Sequence, residues 1–142
     1  MNQAGIQQFN IQVGDALTFN VQPILHEIRH ALEKLLNGGE SSIIDLRSIP
    51  LAPGEEDTII EILGHGEVHV RLDALGPSDI YETKFAGVWL VTHLNEDESI
   101  VSRFIEVTLL PDVLKSQPED IAHALSELKT ELGKHDSKFR GD

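Results

Sequence analysis

The stretch that decides the fold is GVWLVTHLNEDESIVSRFIEVTLL, residues 87–110. Apolar residues recur at every second position on both sides of the acidic turn NEDE, which indicates an antiparallel β-hairpin. Trp89, Val91 and His93 share one face of the first strand, and both faces of the hairpin are rather apolar. Either the hairpin is central and covered on both sides, or one face is an exposed docking surface. A four- or five-residue loop fits equally well, so the register stays open.

The flanking sequence adds further strands and three helices. Period-two alternation over residues 66–72 and in DIYETKF (79–85) predicts two strands, and SSIIDLRSIPL predicts another at about 42–47. Apolar residues at helical spacing predict helices at about 21–36 and 54–63, with Glu55, Glu56 and Asp57 near the positive N-terminus of the second. The closing helix is expected to begin with a capping box, SQPE, with Ser116 as N-cap, and to end at Gly133.

The order of these elements is α-β-α-β-β-β-β-α. It predicts an α+β fold in which a single layer of mostly antiparallel sheet, about 4–5 strands, packs against about 3–4 helices. We expect an N-terminal arm over residues 1–20, one domain over residues 21–134 and a disordered tail over residues 135–142.

Composition excludes several classes of function. Lys and Arg number 11 against 24 Asp and Glu, a formal charge of −13, which disfavours binding to nucleic acid or to an anionic membrane surface. Without cysteine the chain has no catalytic thiol, thiolate metal site or cysteine-ligated cluster. No signal peptide is visible and no apolar run reaches the roughly 20 residues of a membrane span. We expect a soluble cytoplasmic protein.

The segment GHGEVHVRLD, residues 64–73, raises the question of a metal site. His65, Glu67 and His69 are two residues apart in turn, so a strand would place all three on one face. Arg71 follows on the same face and would repel a dication, which favours a solvated strand face. The sequence shows no nucleophile elbow, P-loop or HExxH motif. We therefore predict no catalytic residues, metal or cofactor. The alternative is a metal-binding or hydrolytic protein that uses Glu67, His69 and His93.

Several motifs follow one another over about residues 25–130: IDLxSxPL (44–51), GxGEV (64–68), ETxFxGVWxVxH (82–93), IEV (105–107) and QPED (117–120). In this order they resemble the hydrogenase expression/formation family of the HupH/HyaF type, in its C-terminal conserved region. The resemblance implies a non-enzymatic accessory protein of nickel–iron hydrogenase maturation. Its expected partner is a hydrogenase subunit precursor, particularly the iron–sulfur small subunit, or another accessory protein. A homodimer is compatible with the sequence.

The resemblance, together with the apolar hairpin, also indicates a partner-binding site. Trp89 and neighbouring apolar residues would supply contact area, whereas the polar members would set specificity or, alternatively, form a buried network that fixes the sheet. The predicted partner-binding residues are Glu67, Glu82, Phe85, Gly87, Trp89, Val91, His93 and Glu106.

Overall fold

The structure, a computed structural model, describes residues 19–74 and 76–140, with side chains as far as residue 136. Most of the predicted N-terminal arm, residues 1–18, lies outside the described residues. Phe19 and Asn20 form a turn directly ahead of the first helix.

The described residues contain three α-helices and five strands in the predicted order. Their bounds are α1 Val21–Gly38, β1 Ser42–Asp45, α2 Glu55–Leu63, β2 His69–Leu72, β3 Ser78–Glu82, β4 Val88–Leu94, β5 Ile100–Val107 and α3 Pro118–Arg140. Short 3₁₀ turns lie at Leu46–Ser48 and Asp112–Leu114. The predicted α+β class is confirmed.

The five strands form one open, fully antiparallel sheet in the order β1-β5-β4-β3-β2. Strands β2 to β5 pair with their neighbours in sequence, because short connections return the chain beside itself. The first strand instead pairs with β5 and forms the opposite edge. The predicted hairpin of β4 and β5 therefore lies in the middle of the sheet, and the two edge strands have four residues each.

The structure resolves the register of the central hairpin. Trp89 lies opposite Glu106 and Val91 opposite Phe104. The loop has five residues, 95–99, and the pairing shifts by one position between His93 and Leu94. Because of this irregularity, a five-residue loop can join the two strands while paired residues still point to the same face of the sheet. Within the loop, the Asn95 side chain accepts hydrogen bonds from the backbone N–H groups of Asp97 and Ser99, both at 2.9 Å.

One face of the sheet carries α1 and α2. The apolar stripes of the two helices meet an apolar sheet surface, and together they exclude water, which is the main source of stability in a layer of this kind. The buried residues of this cluster include Ile24, Ile28, Ile59 and Leu63 from the helices and Tyr81, Leu90, Ile105 and Val107 from the sheet. The sequence NGG, residues 37–39, predicts a left-handed cap at the end of the first helix. The helix ends at Gly38, and its cap, Gly39, has the left-handed φ of 71°.

Three strands are shorter than their sequence patterns predict. The second begins at His69 instead of residue 66, and two others end early because side chains at their ends start turns. The first strand ends at Asp45 instead of residue 47, since a carboxylate oxygen of Asp45 accepts the N–H of Arg47 at 3.0 Å and starts the 3₁₀ turn. The third strand ends at Glu82 instead of residue 85, in a turn that is described with the candidate site below.

The closing helix differs from its prediction at both ends. It begins at Pro118, and the Ile121 N–H bonds the Gln117 carbonyl at 3.0 Å, so Ser116 is not the N-cap. Proline favours the first helical position, which explains the shift. Gly133 does not end the helix, because its φ is not positive and the backbone stays helical to Arg140. Residues 135–140 of the predicted tail are thus helical, and residues 141–142 lie outside the described residues.

Contacts divide the chain into two compact units, one ending at Leu109 and the other beginning at Leu110. The first unit contains the sheet with α1 and α2, and the second contains α3. The expectation of one domain over residues 21–134 stays a prediction. Across the described residues, no helix combines the length and apolar character needed to cross a membrane.

Candidate partner-binding groove

The motif ETKFAG, residues 82–87, folds into the tight turn that joins β3 to β4. A carboxylate oxygen of Glu82 accepts the Gly87 N–H at 3.0 Å, and the hydroxyl of Thr83 accepts the Phe85 N–H at 3.1 Å. The Thr83 N–H donates to the Val88 carbonyl at 2.8 Å. These bonds use the polar side chains of the motif to hold the backbone, and they leave the Phe85 ring 42% exposed at the tip.

The motif GHGEV, residues 64–68, lies directly against this turn. The Gly66 N–H donates to the Glu82 carbonyl at 2.7 Å, and the Lys84 N–H donates to the Leu63 carbonyl at the end of α2 at 2.9 Å. A Cβ atom at Gly66 would lie 2.6 Å from the Thr83 carbonyl oxygen, so only glycine permits this approach. The GHGEV and ETKFAG motifs are therefore joined by backbone hydrogen bonds, and together they hold the turn that carries Phe85.

Gly66→Ala is expected to lower the free energy of unfolding by about 1–3 kcal/mol, because a backbone oxygen blocks the added methyl group and strands must shift. Gly38→Ala is the matched control: nothing lies within 4 Å of its Cβ position, and the helical backbone there suits alanine. Urea unfolding of both variants measures the difference. Equal stability of the two variants would contradict the packing described for Gly66.

Gly87, at the other end of the turn, fits closely beneath α1. Its φ is 88°, a conformation that side chains with a Cβ rarely adopt. A Cβ there would also lie 3.4 Å from Leu35 and 3.6 Å from Leu32. The predicted site residues Glu82 and Gly87 thus position the turn against the helix, and Phe85 is the member that the turn presents.

An apolar groove runs between α1 and α2, with Phe85 as part of its lining. It has a volume of about 450 Å³, in the range of small-ligand and peptide-anchor sites. Arg29 and Glu33, joined by an ion pair at 3.1 Å, also border it. The lining is otherwise almost wholly apolar, with Leu25, Ile28, Leu32 and Leu36 from α1, Ile62 from α2, and Phe85. Such a surface suits apolar side chains of a partner.

Apart from Phe85, Gly87 and Glu67, the predicted residues lie on the sheet face opposite the one that carries the helices. Glu82, Trp89 and Glu106 are side by side on three neighbouring strands, and Val91 and His93 follow along β4 on the same face. His93 Nδ1 lies 2.7 Å from the Ser78 hydroxyl, and its ring meets Phe104 edge-on at 5.8 Å. The structure thus brings five of the eight predicted residues to one face.

Trp89 is almost fully buried, with 3% of its surface exposed, and Val91 is 1% exposed. The indole N–H of Trp89 donates to the Thr108 carbonyl at 3.1 Å, so the polar atom of the ring is also satisfied. This burial leaves the indole little area to offer a partner. It favours the first of the two alternatives for the hairpin, a central position with both faces covered.

The histidines of GHGEVH surround a tyrosine. The His65 ring stacks on Tyr81 with centroids 4.0 Å apart, and His69 Nε2 lies 2.7 Å from a carboxylate oxygen of Asp79. His69 is on the sheet face that carries the helices and His93 is on the other face, so the alternative set of Glu67, His69 and His93 is not brought together. Glu67 itself is exposed. Within the described residues, no group of three metal-ligating side chains is assembled.

One polar residue that the site prediction omitted is deeply buried. Glu55, the first residue of α2, has 0% of its surface exposed. Its carboxylate accepts the Ala52 N–H at 2.7 Å, the Asn20 N–H at 3.0 Å and the Asn20 side-chain amide at 3.1 Å. Burial alone would raise the pKa of Glu55, but these hydrogen bonds outweigh it, so the pKa lies below its usual value of 4.5. Glu55 therefore ties the start of α1 to the start of α2.

A five-stranded antiparallel sheet with helices on one face, and an apolar groove between those helices, make this an α+β protein of the open-sheet type. Comparison with known families gives a specific result. Residues 18–134 match the family described as HupH hydrogenase expression protein, C-terminal conserved region. The chain belongs to this family, and the resemblance drawn from the motifs is confirmed.

Individual relatives support the assignment. A hydrogenase expression/formation protein HoxQ of Cupriavidus necator is 27% identical over 119 residues, which is 82% of this chain and 42% of that protein. HoxQ of Azotobacter vinelandii is 28% identical over 115 residues, 78% of this chain and 40% of that protein. This chain therefore spans about two-fifths of the length of these curated relatives. The solved structure of hydrogenase expression protein HupH from Thiobacillus denitrificans aligns with a TM-score of 0.78 at 40% identity, over 82% of this chain and 97% of that one.

Proposed function

We propose that the chain is a non-enzymatic accessory protein of nickel–iron hydrogenase maturation. In this proposal it acts in the cytoplasm by binding a hydrogenase subunit precursor, the iron–sulfur small subunit in first place, or another maturation factor. Family membership supports the maturation role, since the relatives named above are hydrogenase expression/formation proteins. The observation that carries the binding role is the apolar groove, with Phe85 held at its edge by the family motif.

The chemistry of the groove suits binding of a protein segment. Leu36 is 85% exposed and Phe85 is 42% exposed, so apolar area remains that a partner would remove from water. The two charged residues that line the groove, Arg29 and Glu33, neutralise each other in their ion pair, and Lys84 Nζ lies 5.4 Å from the centre of the Phe85 ring. An amphipathic helix or short apolar segment of the client would place its side chains in such a groove at helical spacing.

Charge and composition agree with a chaperone-like role. In this proposal the client is a precursor whose thiols and apolar segments are not yet covered. This chain has no cysteine with which to compete for metal or to form mixed disulfides. Its net charge of −13 favours solubility and a client with basic residues beside the apolar segment.

Phe85→Asp is expected to reduce recovery of the small-subunit precursor at least tenfold in a pull-down from cells that make the hydrogenase, a loss of about 1.4 kcal/mol or more in binding. The aspartate places a charge where an apolar side chain of the client would bind. Because Phe85 is 42% exposed and is not a member of the buried cluster, the variant is expected to fold normally.

Phe19→Asp is the matched control, since Phe19 is 80% exposed and does not line the groove. It should recover as much precursor as the wild type, and Leu36→Asp, a second groove variant, should recover as little as Phe85→Asp. Equal recovery by the groove and control variants would reject the groove as the binding surface. Failure of the wild-type chain to enrich any hydrogenase or maturation protein would reject the proposed function itself.

A further inference from the structure

The closing helix carries an apolar stripe that is open to solvent. Its members lie within about 60° of arc around the helix axis, at spacings of four, three and four residues. Its four members are each 55–58% exposed: Ile121, Leu125, Leu128 and Leu132. Apolar residues at this spacing form the seam of a coiled coil, because it keeps one narrow stripe facing a second helix.

We propose that α3 pairs with α3 of a second copy of this chain, in antiparallel orientation, through this stripe. The spacing reads the same in both directions, so a two-fold axis near residues 126 and 127 places Ile121 opposite Leu132 and Leu125 opposite Leu128. Because the stripe is self-complementary, a second copy of the same chain is enough to cover it. The same patch on both partners is the usual form of a homodimer interface.

Charges along the helix select the antiparallel orientation. The first turn is acidic, with Glu119 and Asp120. A parallel pair would bring the two acidic ends together, whereas an antiparallel pair brings the acidic end of one copy level with Lys134 of the other. Opposed helix dipoles favour the same arrangement.

The residues that flank the stripe also fit this orientation. Beside the seam, an antiparallel pair places Ala122 of one copy near Lys129 of the other, and Ala124 near Glu131. No two like charges meet at these positions. Glu127, near the two-fold axis but outside the stripe, lies 3.3 Å from His123 of its own helix.

The length of the stripe sets the expected strength of the dimer. Four apolar residues from each copy make an interface below the roughly 1,200 Å² typical of stable complexes. We therefore expect a reversible dimer with a dissociation constant on the order of tens of micromolar. Such a dimer would be visible only when the molar mass is followed over a wide range of protein concentration.

Analytical ultracentrifugation tests the interface with two variants of equal charge. Leu125→Glu, at the centre of the stripe, should weaken the dimer at least tenfold, whereas Thr130→Glu, on the opposite side of the same helix, should leave the dissociation constant unchanged. Circular dichroism checks that both helices remain formed. A wild-type chain that stays monomeric at every concentration, or equal weakening by both variants, would overturn the proposal.

Disulfide trapping tests the orientation. Because the chain has no native cysteine, each introduced thiol can pair only with another introduced thiol. Under mild oxidation, a mixture of the Ile121→Cys and Leu132→Cys variants should form mainly the mixed disulfide, in which two thiols lose two protons and two electrons to the added oxidant. The Thr130→Cys variant is the control and should stay largely reduced. Efficient disulfide formation within Ile121→Cys alone would indicate a parallel pair and overturn the proposed geometry. Since Phe85→Asp leaves this stripe untouched, the outcome is independent of the groove.

Discussion

Replacing Trp89 by alanine is expected to lower the free energy of unfolding by about 3–5 kcal/mol. The ring is 3% exposed in the centre of the sheet, so truncation leaves a large cavity that neighbouring strands can only partly fill. It also removes the donor to the Thr108 carbonyl, an additional cost of about 1 kcal/mol for a hydrogen bond of this kind. Urea unfolding at neutral pH, followed by circular dichroism because the tryptophan signal is lost, measures the change.

Trp89→Phe is the matched variant, because it keeps an aromatic ring in the same place and removes the N–H donor. We expect Trp89→Phe to lower the free energy of unfolding by less than half as much as Trp89→Ala does. The result also decides the role of the residue. A Trp89→Ala chain of unchanged stability that no longer recovers the hydrogenase precursor would show that the indole serves as a docking residue, contrary to the burial described above.

Glu55→Ala is expected to destabilise the chain by about 3 kcal/mol or more at neutral pH. The substitution leaves the partly buried backbone N–H groups of Asn20 and Ala52 without their acceptor, and hydrogen bonds to a charged acceptor contribute about 1.5–3 kcal/mol each. Glu61→Ala, an exposed glutamate on the same helix, should change stability by less than about 0.5 kcal/mol. Denaturant unfolding of the two variants gives the comparison.

The effect of Glu55 should also depend on pH, with a sign that its pKa fixes. The folded pKa is below the unfolded value of 4.5, so the folded chain holds this proton less strongly than the unfolded chain does. The resulting stability is fully present above pH 4.5 and is lost as the pH falls through the folded pKa. The stability difference between wild type and Glu55→Ala should therefore shrink in acid. A difference that stays constant or grows as the pH falls would contradict the ionised, hydrogen-bonded carboxylate.

The order of helices and strands could be predicted because periodicity is a local property of the sequence. The alternation across residues 87–110 gave the central hairpin, and the NGG signal gave the end of α1. The irregular pairing near His93 could not be predicted, because it depends on how a five-residue loop reconciles two strands. The predicted end of α3 at Gly133 was wrong for a related reason. Glycine ends a helix where its backbone adopts the left-handed conformation, and Gly133 does not adopt it.

The candidate site was only partly accessible from sequence, because its geometry is set by residues far apart in the chain. The motifs include one residue of the groove lining, Phe85, whereas Glu82 and Gly87 hold a turn and Trp89 is buried. Whether these residues bind a partner stays a prediction. The groove itself depends on how α1 and α2 are spaced on the sheet. Likewise, the hydrogen bond from Asn20 to Glu55 joins residues that are 35 positions apart, so no local pattern predicts it. Only the hydrogen bond from Ala52, three residues before Glu55, is local.

The two edges of the sheet bear on how the chain avoids polymerisation. An exposed edge strand offers unpaired backbone groups to which another chain can add in a growing stack. In the described sheet both edges are the shortest strands, four residues each, whereas the central strands have seven and eight. The edge strand β2 also carries the charged Arg71 and the polar His69, whose hydration opposes stacking. Backbone addition is thereby discouraged, and recognition is left to side-chain surfaces that discriminate between one neighbour and another.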